Sequence, residues 1–142
     1  MAQKEQKYIL SAGFGRFAST NAAAQALLGP NPGETALKLL QASVTEAKAA
    51  GFIIESEDMN PADVKDSLVR FTARLREREW MAVNIGYGVR GVKENTVLFE
   101  RLLEAVREVR PGAKLVFSNA PDEIVPAIRR NFPGDFDDAA GS

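Results

Sequence analysis

The sequence predicts a three-layer α/β/α fold with a mostly parallel four-stranded sheet. Two observations carry this expectation. Short apolar runs alternate along the chain with longer segments of helical periodicity, the pattern of strands joined by crossover helices. The apolar runs are brief and rich in β-branched residues, as strands buried on both faces are.

The strands come in a regular order. Tyr8-Ile-Leu-Ser-Ala12 is an apolar run stopped by Gly13. Phe52-Ile-Ile54, Met81-Ala-Val-Asn-Ile85 and Lys114-Leu-Val-Phe117 are the other three. Between them, Leu37, Leu40, Val44 and Ala47 form one helical stripe, and Val64, Leu68, Phe71 and Leu75 a second. Leu98, Leu102, Ala105 and Val109 form a third, and a shorter helix would bury Ile124, Val125 and Ile128. Asn31-Pro32-Gly-Glu34 and Asn60-Pro61-Ala-Asp63 each offer a capping side chain, a proline for the first turn and an acid for the helix dipole. Gly51 and Pro111-Gly112 stop two of the helices. Right-handed crossovers then predict a parallel sheet of order 2-1-3-4.

Composition narrows the function classes. The 142 residues fit one domain, expected over 1–132, with a small acidic tail over 133–142 expected to be disordered. Hydrophobic residues make up 45% and charged residues 26%, as in ordinary globular proteins. A formal net charge of −1 gives no field to steer nucleic acid or an anionic membrane, so neither is expected as a partner. No apolar run approaches the ~18 residues of a membrane span. The start, Met1-Ala-Gln-Lys-Glu-Gln-Lys7, is polar and does not read as a signal peptide. With no cysteine and no histidine, disulfides, a thiolate nucleophile and an imidazole base are excluded. The same lack argues against a transition-metal site. No metal or cofactor is expected, and a cytoplasmic location is the default.

In sheets of this kind ligands bind beyond the carboxyl ends of the strands, near the switch in strand order. The loops there are Gly13–Pro32, Glu57–Asn60, Gly86–Asn95 and Ser118–Pro121. Gly13-Phe-Gly15-Arg-Phe-Ala18 fits the dinucleotide fingerprint G-x-G-x-x-G/A. The fingerprint expects an acidic residue roughly 20 positions on at the end of the second strand, whereas Glu55 and Glu57 come only after the apolar segment Ala22–Leu28 and the Gly29-Pro-Asn-Pro32 turn. The alternative is that these glycines let the backbone turn sharply out of a strand. In Gly86-Tyr-Gly-Val-Arg-Gly-Val-Lys-Glu-Asn95, two glycines allow close backbone approach to a ligand. Tyr87, Arg90 and Lys93 supply a hydroxyl and two cations, and Asn95 can cap the next helix. A solvated loop is the competing reading.

Other groups carry less. Arg70, Arg74 and Arg78 recur at i, i+4, i+8 and read as a solvated face interleaved with Asp66, Glu77 and Glu79, rather than a phosphate-binding one. Glu55, Glu57 and Asp58 would serve as acid or base only if one were desolvated, and magnesium would need three carboxylates close together. The Ser118-Asn119 pair has no histidine to activate the serine. Trp80, ahead of a strand, is expected to pack.

Gly13-Phe-Gly-Arg-Phe17, then Asn31-Pro32-Gly and a helix with Leu39-Leu40, resembles the opening of type I pyroglutamyl peptidases. That family opens with a strand, Gly-Phe-x-Pro-Phe, Asn-Pro-Ser and a helix. Ile85-Gly86 with Arg90 resembles its glycine-rich loop, and Leu98–Ala120 resembles its helix, turn and strand leading into Ser-x-x-Ala-Gly-x-x-Val-Cys-Asn. The likeness spans nearly the whole chain. It implies a phosphorylase- or flavodoxin-like fold and a pocket lined by Phe14 and Phe17, which in the family hold a flat pyroglutamyl ring. The departures are as informative. Aligning Ala120 with the family's alanine puts Val125 where the nucleophilic cysteine would be. The strand carrying the histidine would lie past Phe132, the glutamate has no counterpart, and Arg16 replaces the proline between the phenylalanines.

Three function classes follow. The first is a non-peptidase relative that binds a small molecule through Phe14, Arg16, Phe17, Tyr87, Arg90 and Asn119. The second is a small-molecule isomerase, lyase or hydrolase using Asp/Glu, Lys or Tyr as acid and base. The third is a self-associating module, a homo-oligomer that covers the edges a four-stranded sheet leaves open.

Overall fold

Among the described residues, β1 (Lys7–Gly13), β2 (Phe52–Asp58), β3 (Ala82–Ile85) and β4 (Lys114–Phe117) form one parallel sheet. Its order, β2-β1-β3-β4, is the predicted one. The computed structural model describes residues 7–20, 25, 26 and 28–136. The polar start at 1–6, most of the apolar segment at 22–28 and the end of the acidic tail at 137–142 lie outside them. The helices are α1 (Pro32–Ala49), α2 (Val64–Glu77), the single turn α3 (Tyr87–Arg90), α4 (Thr96–Val109) and α5 (Ile124–Asn131). Short 3-10 turns follow β1 at Gly15–Thr20, precede α4 at Lys93–Asn95 and follow α5 at Pro133–Asp135.

The sheet divides the core in two. On one face Leu10, Ala12, Val83 and Ile85 pack against Phe71, Leu75, Leu98, Leu102 and Val106 of α2 and α4. On the other, Ile9, Phe52, Ile54, Ala82 and Val116 pack against Ala47 of α1 and Ile124, Val125 and Ile128 of α5. The α5 stripe buries as its periodicity predicts. In α2 Phe71 and Leu75 are buried, with Val64 and Leu68 partly so. In α4 Leu98 and Leu102 are buried, but Val106 takes the innermost place ahead of Ala105 and Val109. The α1 stripe is rotated from the expected one. Leu37 is exposed, and Ala36, Ser43 and Ala47 face inward, with Leu40 and Val44 packed at the margin.

Element ends differ from expectation for local reasons. β2 extends four residues beyond Ile54, because Glu55 and Glu57, on the sheet face that α2 covers, are paired with arginines of that helix. Helix α2 starts at Val64, and its cap is Asp63, which accepts from the Asp66 amide at 3.0 Å. Asn60 instead closes a turn by accepting from the Ala62 amide. Gly51 ends α1 with φ +93°, as a glycine stop should.

The domain boundary expected at 132 moves outward. Pro133–Asp135 forms a turn and Phe136 stacks on Phe52, with centroids 5.2 Å apart and planes 24° apart. Arg129 covers the Phe136 ring and Lys7 pairs with Asp135 at 3.1 Å. A phenylalanine buries too much apolar surface to behave as its small acidic neighbours do. No described helix is long and apolar enough to cross a membrane.

Candidate functional site

Strands β1 and β3 lie side by side but send their chains to different parts of the fold, which opens a crevice beyond their carboxyl ends. A cavity of about 160 Å³ occupies it. All four loops expected at this edge contribute, through Gly13 and Phe14, Asp58, Gly86 to Gly88, and Ser118 to Pro121. Ala36 and Leu40 of α1 and Ile124 of α5 supply an apolar wall. Ser43, fully buried on α1, donates to the Pro121 carbonyl at 2.6 Å and ties that helix to the loop after β4.

The floor is polar, built from side chains that no local sequence pattern brings together. Side chains alternate along a strand, so Ser11, Ser56 and Asn84 share a sheet face, opposite one another in register. Ser118 follows on β4. All four line the cavity. Asn84 is 1% exposed and donates through Nδ2 to Ser11 Oγ and Ser118 Oγ, each at 3.1 Å, while its Oδ1 accepts from the Ser118 amide at 2.9 Å. Three strands are thus joined by one side-chain network. The signal was available: a serine and an asparagine inside otherwise apolar buried strands need partners there.

The six expected ligand residues divide evenly. Phe14, Tyr87 and Asn119 line the cavity; Arg16, Phe17 and Arg90 do not. Phe14 also packs, since its ring fills the space a side chain on Gly88 would need. Arg90 donates to the Ser118 carbonyl at 3.3 Å and to Asn119 Oδ1 at 2.7 Å, and its guanidinium stands over Tyr87 and Phe117. It holds α3 to the loop after β4. Phe17 is flanked by the guanidiniums of Arg16 and Arg70, 4.8 Å and 5.7 Å from its centroid. Asn95 does not cap α4 with its side chain, which donates to the Gly88 carbonyl at 2.9 Å and steadies the loop above the cavity.

The dinucleotide fingerprint resolves in favour of the turn. Gly15 has φ +52°, and the Asp58 carboxylate lies against it and accepts from the Arg16 amide at 3.3 Å. The position a phosphate would take at the start of that turn is filled by the chain's own carboxylate.

The arginine stripe pairs with Asp66 and Glu77 as its spacing suggests, but it is more enclosed than a solvated face, because the β2 carboxylates pair with it as well. Arg70 binds Glu57, Asp66 and the Asp58 carbonyl. Arg74 binds Glu55, Glu57 and Glu77, and Arg78 binds Glu55 while standing 4.0 Å over the Tyr8 ring. For Arg70, partial burial lowers the pKa, but hydrogen bonds to Asp66 and Glu57 outweigh it and the value is raised above the ordinary one. These pairings occupy Glu55 and Glu57, and among the described residues no three acidic side chains converge as a metal site would require. Trp80 packs as expected, edge-on to Tyr8, with its indole N–H donating to the Arg74 carbonyl at 3.0 Å.

No protein-family model matches the chain, and no curated protein matches it.

Proposed function

We propose that this chain binds a small molecule in the cavity beyond the carboxyl ends of β1 and β3, as a non-peptidase relative of the pyroglutamyl peptidases. The observation that carries the reading is the lining: a buried polar floor of Ser11, Asn84 and Ser118 under walls of Phe14, Leu28, Ala36, Leu40 and Ile124. An apolar pocket with a few convergent polar groups is the usual form of a ligand site. Its volume is close to that of the roughly 150 Å³ apolar cavity that takes up benzene, so the ligand is the size of one small ring.

Peptidase chemistry is not part of the proposal. The sequence holds no cysteine or histidine, and Val125, at the position the resemblance assigns to the nucleophile, is buried in the core. Among the described residues no base accepts the Ser118 proton, and the Ser118 oxygen accepts from the Asn84 carboxamide. The test is calorimetric titration with small cyclic fragments against the natural chain and Ala36→Leu. Binding by the natural chain that the larger side chain removes is the expected result. Equal binding by both would place the ligand elsewhere.

A further inference from the structure

The floor of the cavity also limits what a ligand can present to it. The backbone N–H of Ser118 can only donate, so the Asn84 atom facing it is the carbonyl oxygen Oδ1. This fixes the amide's orientation, and both Nδ2 hydrogens point to Ser11 Oγ and Ser118 Oγ. Each serine oxygen therefore accepts from Asn84 and keeps its own hydrogen. Neither hydroxyl finds an acceptor among the described residues, although Ser11 is 6% and Ser118 2% exposed. A buried hydroxyl hydrogen without an acceptor is costly, and both residues line the cavity.

From this, on the reading that the cavity is a ligand site, we infer that it selects a neutral ligand with a carbonyl oxygen, read by the Ser11 and Ser118 hydroxyls as two donors. Neutrality follows from the charges around it. Among the described residues no lysine or arginine lines the cavity, while Asp58 does, so an anionic ligand would meet a carboxylate and no cation. The Asp58 carboxylate is already engaged by the Arg16 amide at 3.3 Å and the Arg16 guanidinium at 3.9 Å, and at the floor an ammonium would bring only donors to the two hydroxyl hydrogens. Asn84 is a positioning residue: it touches no ligand in this account but sets the direction of both hydroxyls.

The probes are cyclopentanone, methylenecyclopentane, which has the same shape without the acceptor, and cyclopentylammonium. Binding is read from amide chemical-shift titrations of the intact chain. Cyclopentanone is expected to bind roughly tenfold more tightly than methylenecyclopentane, the worth of about one good hydrogen bond. Asn84→Asp keeps the shape and the bond from the Ser118 amide but turns both hydroxyls toward the carboxylate. It should erase or reverse the preference for the ketone over the ammonium, which a merely structural role would not do. If methylenecyclopentane binds in the cavity as tightly as the ketone, the inference fails and the ligand site stands. If no probe shifts the cavity amides, both fail. Should Asn84→Asp not fold, the comparison of probes on the natural chain still decides.

Discussion

The Asp58 carboxylate lies where a side chain on Gly15 would stand: a Cβ there would collide with Oδ1. The first loop and the end of β2 are locked by this fit, since Gly15 also needs its positive φ. Gly15→Ala should cost about 1–3 kcal/mol, from the left-handed backbone and the displaced carboxylate together. In urea unfolding, the double variant with Asp58→Ala should lose less than the sum of the two single losses, because the clash is already relieved. Strict additivity would mean the two residues do not share this contact.

The α2 arginines give a second expectation. An isolated surface ion pair contributes little, yet Arg74 is 23% exposed and meets three carboxylates. Arg74→Ala should destabilise by about 1–2 kcal/mol, beyond the roughly half a kcal/mol of an ordinary surface change. Part of the loss should fade at high salt. A loss within half a kcal/mol at low salt would return these residues to the solvated face that their spacing suggested.

Much of the fold was legible because local signals agree with one another. The strand order follows from alternating elements and crossover handedness, and the α2 stripe Val64, Leu68, Phe71, Leu75 packs as its spacing requires. What was not legible depends on tertiary partners. Helical spacing puts Leu37 and Ala36 almost side by side, and only the position of the sheet decides which turns inward. Arg90 reads as a ligand fork until Asn119, 29 residues away, is seen to accept its hydrogen bond. The loops of the candidate site were legible from topology, but its floor was not. Ser11, Asn84 and Ser118 become one network only when three strands are aligned.

Arg90 therefore carries a prediction about stability. It stacks on two rings and ties the loop after β4, so Arg90→Ala should cost about 1–3 kcal/mol and lower the melting temperature. An unchanged melting temperature, measured by calorimetry, would show that its contacts carry no net energy.

The chain end supplies the next. Phe136 is 6% exposed against Phe52, and Phe136→Ala should cost about 2–4 kcal/mol, toward the lower side of aromatic truncations because the site is peripheral. A chain ending at Phe132 should lose at least as much. Full stability of that shortened chain would restore the boundary at 132.

An amide shift map with a small cyclic ketone decides whether the cavity beyond the carboxyl ends of β1 and β3 is the ligand site proposed above. Saturable shifts are expected at Ser11, Asn84, Gly86 and Ser118, with little change at Lys7, Phe52 and Lys114 on the opposite edge of the sheet. Saturable shifts centred on Lys7, Phe52 and Lys114 instead, or none at the cavity up to the solubility of the probe, would contradict that proposal.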